Sequence, residues 1–285
     1  MKGFSVAQRW DLVRHLQNKA NVIRRDIVKM IYKADSGHPG GALSAADIVA
    51  VLYFHVMHID PKNPKWEDRD RFILSKGHSC PVVYSALSRL GYFPREKLWT
   101  SRDVGSILQG HPDMRKTPGI DMTTGSLGHG LSAGVGMAIA GKLDQKSYGV
   151  FVMLGDGEMQ EGQVWEAAMS ASHYKLDNLI AIVDYNKLQV DGFVDRVMSI
   201  EPLVDKWRAF GWHTMVIDGH NIEEIMDAFQ KIGTIYGSPS VIIAHTIKGK
   251  GVSFMENQVE WHCKTPTAEQ MKQVMKNLVG EDDEL

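Results

Sequence analysis

The sequence predicts an α/β fold: a doubly wound, mostly parallel sheet with helices on both faces. Three observations predict it. Val150-Phe151-Val152-Met153-Leu154 is an unbroken apolar run that stops at Gly155-Asp156-Gly157-Glu158. Leu179-Ile180-Ala181-Ile182-Val183 is a second such run, stopping at Asp184-Tyr185-Asn186 after an intervening helical stretch. Beyond Asn186, strand-like and helix-like segments continue to alternate. Unbroken apolar runs suit strands covered on both faces, and strand–helix–strand alternation implies parallel pairing with right-handed crossovers. Asp156 and Asn186 are then expected at one edge of the sheet, outside the carboxyl ends of its strands, where such folds bind ligands.

The remaining elements follow in order. Val13, Leu16, Ala20, Ile23, Ile27, Met30 and Ile31 recur at spacings of three and four, which predicts an amphipathic helix from about Leu12 to Ala34. Asp35-Ser36-Gly37-His38-Pro39-Gly40-Gly41 is expected to end it without continuing as helix, because glycine and proline dominate. Ser44 with Asp47 three residues on resembles a capping box for a helix from Ala45 to Phe54. Pro61 to Asp70 reads as a polar loop. Phe72-Ile73-Leu74-Ser75 reads as a short buried strand ending at Lys76-Gly77-His78, with Pro81 in the first turn of a helix reaching about Leu90. Arg95 to Thr124 is long and irregular, as functional loops often are. Leu131 to Leu143 is a small-residue helix whose Gly134, Gly136 and Gly141 imply close packing against a neighbour. Later come a helix from Glu201 to Phe210, a strand from Thr214 to Ile217, a helix from Glu223 to Ile232 and a strand from Ser240 to Ala244. A tail helix from Thr267 to Val279 ends the alternation.

With 285 residues and no repeat, low-complexity tract or linker, the chain reads as one domain, 1–285. The formal net charge of −2 gives no general attraction to nucleic acid or an anionic membrane, so any anion must be held locally. No apolar run approaches the ~20 residues of a membrane span, and the N-terminus lacks a signal-peptide core. Cys80 and Cys263 stand far apart without metal spacing and read as free thiols of a reducing compartment. The expectation is a cytoplasmic protein. Most of the fifteen methionines are expected to fill the core.

Gly-Asp-Gly alone is commonly only a turn, and a lone histidine is usually a surface or satisfied core residue. Here Asp156 pairs with Asn186 after a single helix and strand, and His38, His78, His111 and His262 each sit in a glycine- or proline-rich turn or a loop. Zinc is disfavoured, since no histidines are spaced i, i+4 or beside paired cysteines. A carboxylate and an amide oxygen suit a hard cation, and glycines let backbone amides approach phosphate oxygens. A diphosphate held through magnesium is the expected ligand class.

These residues carry a resemblance. Gly155-Asp156-Gly157-Glu158 through Asn186 resembles the motif of thiamine-diphosphate-dependent enzymes. Ser36-Gly37-His38-Pro39-Gly40, Ser75-Lys76-Gly77-His78, Gly110-His111-Pro112, Gly125-Ser126-Leu127-Gly128 and Glu161-Gly162-Gln163-Val164-Trp165-Glu166 resemble transketolases in particular. Lys248-Gly249-Lys250-Gly251 and Trp261-His262 complete the series in the family's order, so the resemblance spans roughly residues 10 to 265.

The resemblance implies a diphosphate-binding domain with an N-terminal helical extension and a helical tail. It implies thiamine diphosphate and Mg2+, with Ca2+ or Mn2+ able to substitute. Asp156, Asn186 and the Leu188 carbonyl would ligate the metal. Gly157 would donate its amide to the diphosphate, with Asn186 beside it, and His78, His262 and Lys248 would line the diphosphate and thiazolium side. Gly125, Ser126 and Leu127 would contact the cofactor through their backbone. His38, His111 and His262 would face the donor's hydroxyl groups as catalytic residues. Glu161 would lie at the contact between subunits.

Two departures from the family's pattern stand out. Gly40-Gly41 replaces hydroxyl residues, so a side-chain contact to cofactor is expected to be missing. No pyrimidine-binding domain fits after Lys250, and in the family the glutamate that activates the cofactor lies in that domain. The expectation is therefore the N-terminal subunit of a split transketolase, working only with a separate C-terminal subunit in an α2β2 heterotetramer. It would transfer a two-carbon ketol unit between sugar phosphates, by default those of the pentose phosphates, with catabolism of a branched or unusual ketose phosphate left open. Other readings are a fragment of 1-deoxyxylulose-5-phosphate synthase, the alpha chain of a 2-oxo acid dehydrogenase and a non-catalytic thiamine-diphosphate-binding module. The histidine turns favour transketolase over each.

Overall fold

A computed structural model describes residues 5–278. Its centre is a five-stranded parallel sheet in the order β1-β2-β3-β7-β6. The strands are β1 (Arg71–Leu74), β2 (Val150–Gly155), β3 (Leu179–Tyr185), β6 (His213–Asp218) and β7 (Ser240–His245). A separate antiparallel pair, β4 (Leu188–Gln189) and β5 (Gly192–Phe193), forms a small hairpin directly after β3 and runs into the short helix α7 (Val194–Met198).

The apolar runs are unbroken because alternate side chains enter two different cores. Phe151, Met153, Ile180, Ile182, Ile242 and Ala244 pack into one. That core is completed by helices α1 (Val6–Ala34), α3 (Ala46–Val51), α4 (Pro81–Leu90) and α9 (Ile222–Ile232). Val150, Val152, Leu154, Leu179, Ala181, Val183, Val241 and Ile243 enter the other, beneath α5 (His129–Leu143), α6 (Gly162–His173) and α8 (Leu203–Ala209). The chain steps from β1 through β2 to β3, jumps to β6 at the edge, and returns through α9 to β7 beside β3. Right-handed crossovers require α9 to lie on the face opposite α6 and α8, as it does. Strand order thus reverses between β3 and β7, and a crevice opens at their carboxyl ends.

Local expectations were met in the strands and long helices and corrected elsewhere. Helix α1 starts at Val6 rather than Leu12, because Ser5 and Gln8 form a reciprocal cap. The glycine-rich turn does continue as helix: α2 (Pro39–Ser44) includes Gly40 and Gly41, with Pro39 in its first turn. Ser44 and Asp47 form no capping box. Ser44 Oγ donates to Asp184 Oδ2 at 2.6 Å, and Asp47 is claimed by Arg24 and His220. In α5, Gly134 and Gly141 do pack closely, since a Cβ there would lie 2.6 Å from Val152 Cγ2 and 2.9 Å from the Tyr148 ring. Gly136 faces open space instead. The tail helix α10 (Ala268–Asn277) is capped by Thr267; Val279, its expected end, lies outside the described residues. Cys80 is buried, Cys263 exposed, and both are free thiols. No helix among the described residues is long and apolar enough to cross a membrane.

Candidate active site at the strand ends

The parallel register sets Gly155 of β2 opposite Asp184 of β3, and Asp184 opposite Ala244 of β7. Residues just beyond these positions therefore emerge side by side. Asp156 is buried; its Oδ1 accepts from the Gly157 amide at 2.7 Å and its Oδ2 from the Lys187 amide. Asn186 Oδ1 accepts from the Leu188 amide at 3.1 Å. Lys248, on the loop after β7, donates through Nζ to the Leu188 carbonyl at 2.9 Å and to His262 Nδ1 at 2.8 Å. Lys248 thus joins the candidate metal ligands to the histidines.

The rings of His38, His78 and His262 form a triangle with centroid separations of 5.2, 5.3 and 5.5 Å. His38 comes from the turn before α2, His78 from the turn after β1, and His262 from a 3-10 turn spanning Val259–His262. Burial, with Arg102, His111 and Lys248 nearby, pushes His38 down to about 4. Burial and Lys248 push His262 down to about 3, and burial with Lys76 holds His78 well below its usual value. All three are neutral imidazoles at neutral pH, able both to donate and to accept. His38 Nδ1 is buried with no hydrogen-bond partner among the described residues.

The loop expected to meet the cofactor is anchored on the same edge. A Cβ on Gly77 would lie 2.9 Å from the Gly125 amide, and one on Gly125 would lie 3.1 Å from His111 Cδ2. His111 is exposed beside this loop, as are Ser126 and Leu127. The Gly157 amide, expected to face a diphosphate, here donates to its neighbour Asp156.

Sequence reading missed the groups beneath the site. Asp184 is fully buried and accepts from Ser44, Lys76 and Thr246. It also accepts from Asn186 Nδ2 at 3.4 Å. Burial raises its pKa, but Lys76, Ser44 and Thr246 outweigh that and hold it low. A carboxylate inside an otherwise apolar strand was the available signal. Glu158, also buried, accepts from Ser75 and from the amides of Gly128 at 2.8 Å and Gly155 at 3.0 Å. It ties the ends of β1 and β2 to the Gly125–Gly128 loop. Gly40 has a positive reason to be glycine: a Cβ there would lie 2.9 Å from both Lys248 Cγ and the Trp261 carbonyl.

The donor chemistry fits a hard divalent cation. Among the described residues, no three His, Cys, Asp or Glu side chains gather as a metal-binding group. The candidate donors are instead one carboxylate, one amide oxygen and one backbone carbonyl, the oxygen set magnesium prefers. Burial and the Asp184 charge push Asp156 up to about 7, against the backbone amides of Gly157 and Lys187 and the Lys248 charge. A buried carboxylate left this poorly compensated is the kind of group a cation stabilises.

Residues 15–284 match the family model for the transketolase thiamine diphosphate-binding domain. The chain belongs to the transketolase family. It is 51% identical over 266 residues to the 6-deoxy-6-sulfo-D-fructose transketolase subunit SqwG of Clostridium sp. (strain MSTE9), covering 93% of this chain and 97% of that one. It is 46% identical over 263 residues to one of the apulose-4-phosphate transketolase subunits of Phocaeicola vulgatus, covering 92% of each. Against the transketolase crystal structure from Campylobacter jejuni, the TM-score is 0.89 at 35% identity. That match covers 93% of this transketolase domain but 43% of the solved chain. The mouse transketolase is 42% identical, and the match likewise covers 42% of its length. The domain therefore spans about two fifths of these longer transketolases.

Proposed function

We propose that this chain is the cofactor-anchoring half of a two-chain transketolase, moving a two-carbon ketol unit from a ketose to an aldose. The observation that carries this reading is the convergence, on one sheet edge, of three oxygen donors with Lys248 and a triangle of neutral histidines. Asp156, Asn186 and the Leu188 carbonyl hold Mg2+. Lys248, His78, His262 and the Gly157 amide receive the diphosphate, the last by exchanging its bond to Asp156. Gly125, Ser126 and Leu127 border the cofactor through their backbone. When bound, thiamine diphosphate supplies the electron sink for breaking the bond next to the ketose carbonyl. His38, His111 and His262 then orient the donor's hydroxyl groups and move protons there, a task suited to neutral imidazoles.

The relatives' names support both the partner and the substrate class. Two of them are transketolase subunits, one named for a sulfonated ketose and one for a ketose phosphate. We infer a donor whose far end carries a sulfonate or a phosphate, and a heterotetramer with a second chain that brings the pyrimidine-binding domain. Two measurements test the reading. Ketol transfer is expected only when this chain is mixed with such a partner; robust turnover by the chain alone overturns it. In calorimetry, Asp156→Ala is expected to abolish magnesium-dependent thiamine diphosphate binding, and unchanged binding overturns the metal assignment.

A further inference from the structure

Lys248 enters the site on a glycine-rich loop whose Gly249 and Gly251 have φ of +81° and +91°. Such a loop is free to wander unless something pins it, and ordering a lysine side chain on a mobile loop costs binding energy. The loop is pinned on both sides of Lys248. After it, the Gly249 amide donates to the Gly40 carbonyl at 3.0 Å. Before it, the Ile247 amide donates to His220 Nε2 at 2.8 Å.

His220 ends a chain of buried polar groups that the catalytic reading does not use. Arg24 of α1 donates through Nη1 to Asp47 Oδ1 at 3.1 Å and through Nη2 to Asp47 Oδ2. Asp47 Oδ2 lies 2.7 Å from His220 Nδ1, with the two side chains 8% and 12% exposed. A backbone amide can only donate, so Nε2 accepts from Ile247 and carries no proton. Nδ1 then carries the ring proton and donates to Asp47. The Arg24–Asp47 pair thereby fixes one tautomer of one imidazole, and the free nitrogen of that imidazole holds one backbone amide next to Lys248. The His220 amide itself donates to Asp218 Oδ1 at 2.8 Å, which fixes the turn that carries the ring.

We propose that His220 is a positioning residue: by holding the Ile247 amide it presents the Lys248 ammonium to the cofactor's diphosphate, with Asp47 and Arg24 fixing the imidazole. The proposal rests on the reading of Lys248 as a diphosphate ligand. It predicts a split between two conservative variants. Glutamine can place an acceptor near the position of Nε2, whereas asparagine reaches only the position of Nδ1. His220→Gln therefore keeps the bond to Ile247, and His220→Asn keeps the bond to Asp47 alone.

Two readouts on the full chain test this. Hydrogen–deuterium exchange is followed at Ile247, and thiamine diphosphate binding with magnesium chloride is measured by calorimetry. His220→Asn is expected to speed exchange at Ile247 and weaken binding about tenfold, the effect of losing one hydrogen bond at the site. His220→Gln is expected to restore both to within about twofold of the unsubstituted chain. Equal behaviour of the two variants in either readout overturns the positioning role, even while the unsubstituted chain binds cofactor. Failure of the unsubstituted chain to bind thiamine diphosphate overturns the cofactor reading itself, and the role in presenting Lys248 with it.

Discussion

Replacing Asp184 by Asn would leave the Lys76 ammonium buried without its counter-charge, held by neutral acceptors such as the Gly41 carbonyl at 2.7 Å. Their side chains are 0% and 3% exposed, so solvent screening is absent. Breaking one partner out of such a pair typically costs about 3–5 kcal/mol, far more than any surface pair. Asp184→Asn is expected to destabilise the chain by that order in urea unfolding, and Asp184→Asn with Lys76→Gln by less than the sum of the single changes. Additive losses would show that the pair is not coupled. The importance of these residues was not legible in the sequence, because their partners lie on different elements: Ser44 on α2, Lys76 after β1 and Thr246 after β7. His38 and His78 were legible as candidates because each stands in a turn bearing glycine or proline, whereas His262, in a turn with neither, was legible only as a loop histidine in the Trp261-His262 pair that resembles the family.

Helix α2 shows how an element too short to matter by itself shapes the site. Its Gly40 lets the backbone lie against the Lys248 stem and the Trp261 carbonyl, so a methyl group there meets a backbone oxygen that cannot turn aside. Overpacking of this sort costs about 1–3 kcal/mol, more than the ~1 kcal/mol that alanine gains over glycine in a helix. Gly40→Ala is expected to lower stability in thermal unfolding and to weaken thiamine diphosphate binding by displacing Lys248. Gly136→Ala in α5 is the contrast: with nothing within 4 Å of its Cβ, it is expected to stabilise by about 0.4–1 kcal/mol. A destabilised Gly136 variant beside a neutral Gly40 variant would contradict both assignments. The three glycines of α5 looked alike in the sequence, as Ser44 and Asp47 looked like a cap, because local spacing is silent about the neighbour. Strands β2, β3 and β7 were legible for the opposite reason: both faces are buried, so nearly every position in these runs is apolar. Hairpin β4–β5, with two residues per strand, is too short to carry a period and went unseen.

At the scale of the whole molecule, the reversal of strand order between β3 and β7 brings together turns that are far apart in the chain, from His38 to His262. The sheet's continuous apolar runs made the parallel architecture legible and placed Asp156 and Asn186 at one edge. The return of α9 to β7, which puts Lys248 beside Leu188, became visible only in three dimensions. This convergence crowds cations and imidazoles into one crevice, and the crowding sets how the fold responds to acid. His38 and His262 are held down to about 4 and about 3 in the folded chain, His78 well below its usual value, and His111, on the surface, is lowered by partial burial and Arg102. An unfolded histidine titrates near 6.5. As pH falls below about 6.5, the unfolded chain takes up protons at these rings that the folded chain refuses, so their contribution to stability declines until pH passes below about 4 for His38. Asp156, which at about 7 takes up its proton first in the folded chain, offsets part of this decline. Above about 6.5 both states are unprotonated at these rings and the penalty vanishes. Thermal unfolding midpoints are therefore expected to drop steadily from pH 6.5 to 4.5 and to drop less in His38→Asn, which keeps a polar side chain but cannot titrate. An equal slope in the variant would mean that His38 does not contribute to the acid limb. If thiamine diphosphate binds as proposed, adding it with magnesium should flatten the slope in the unsubstituted chain, because a diphosphate beside Lys248 and the histidines would favour their charged forms and let the folded state accept the same protons.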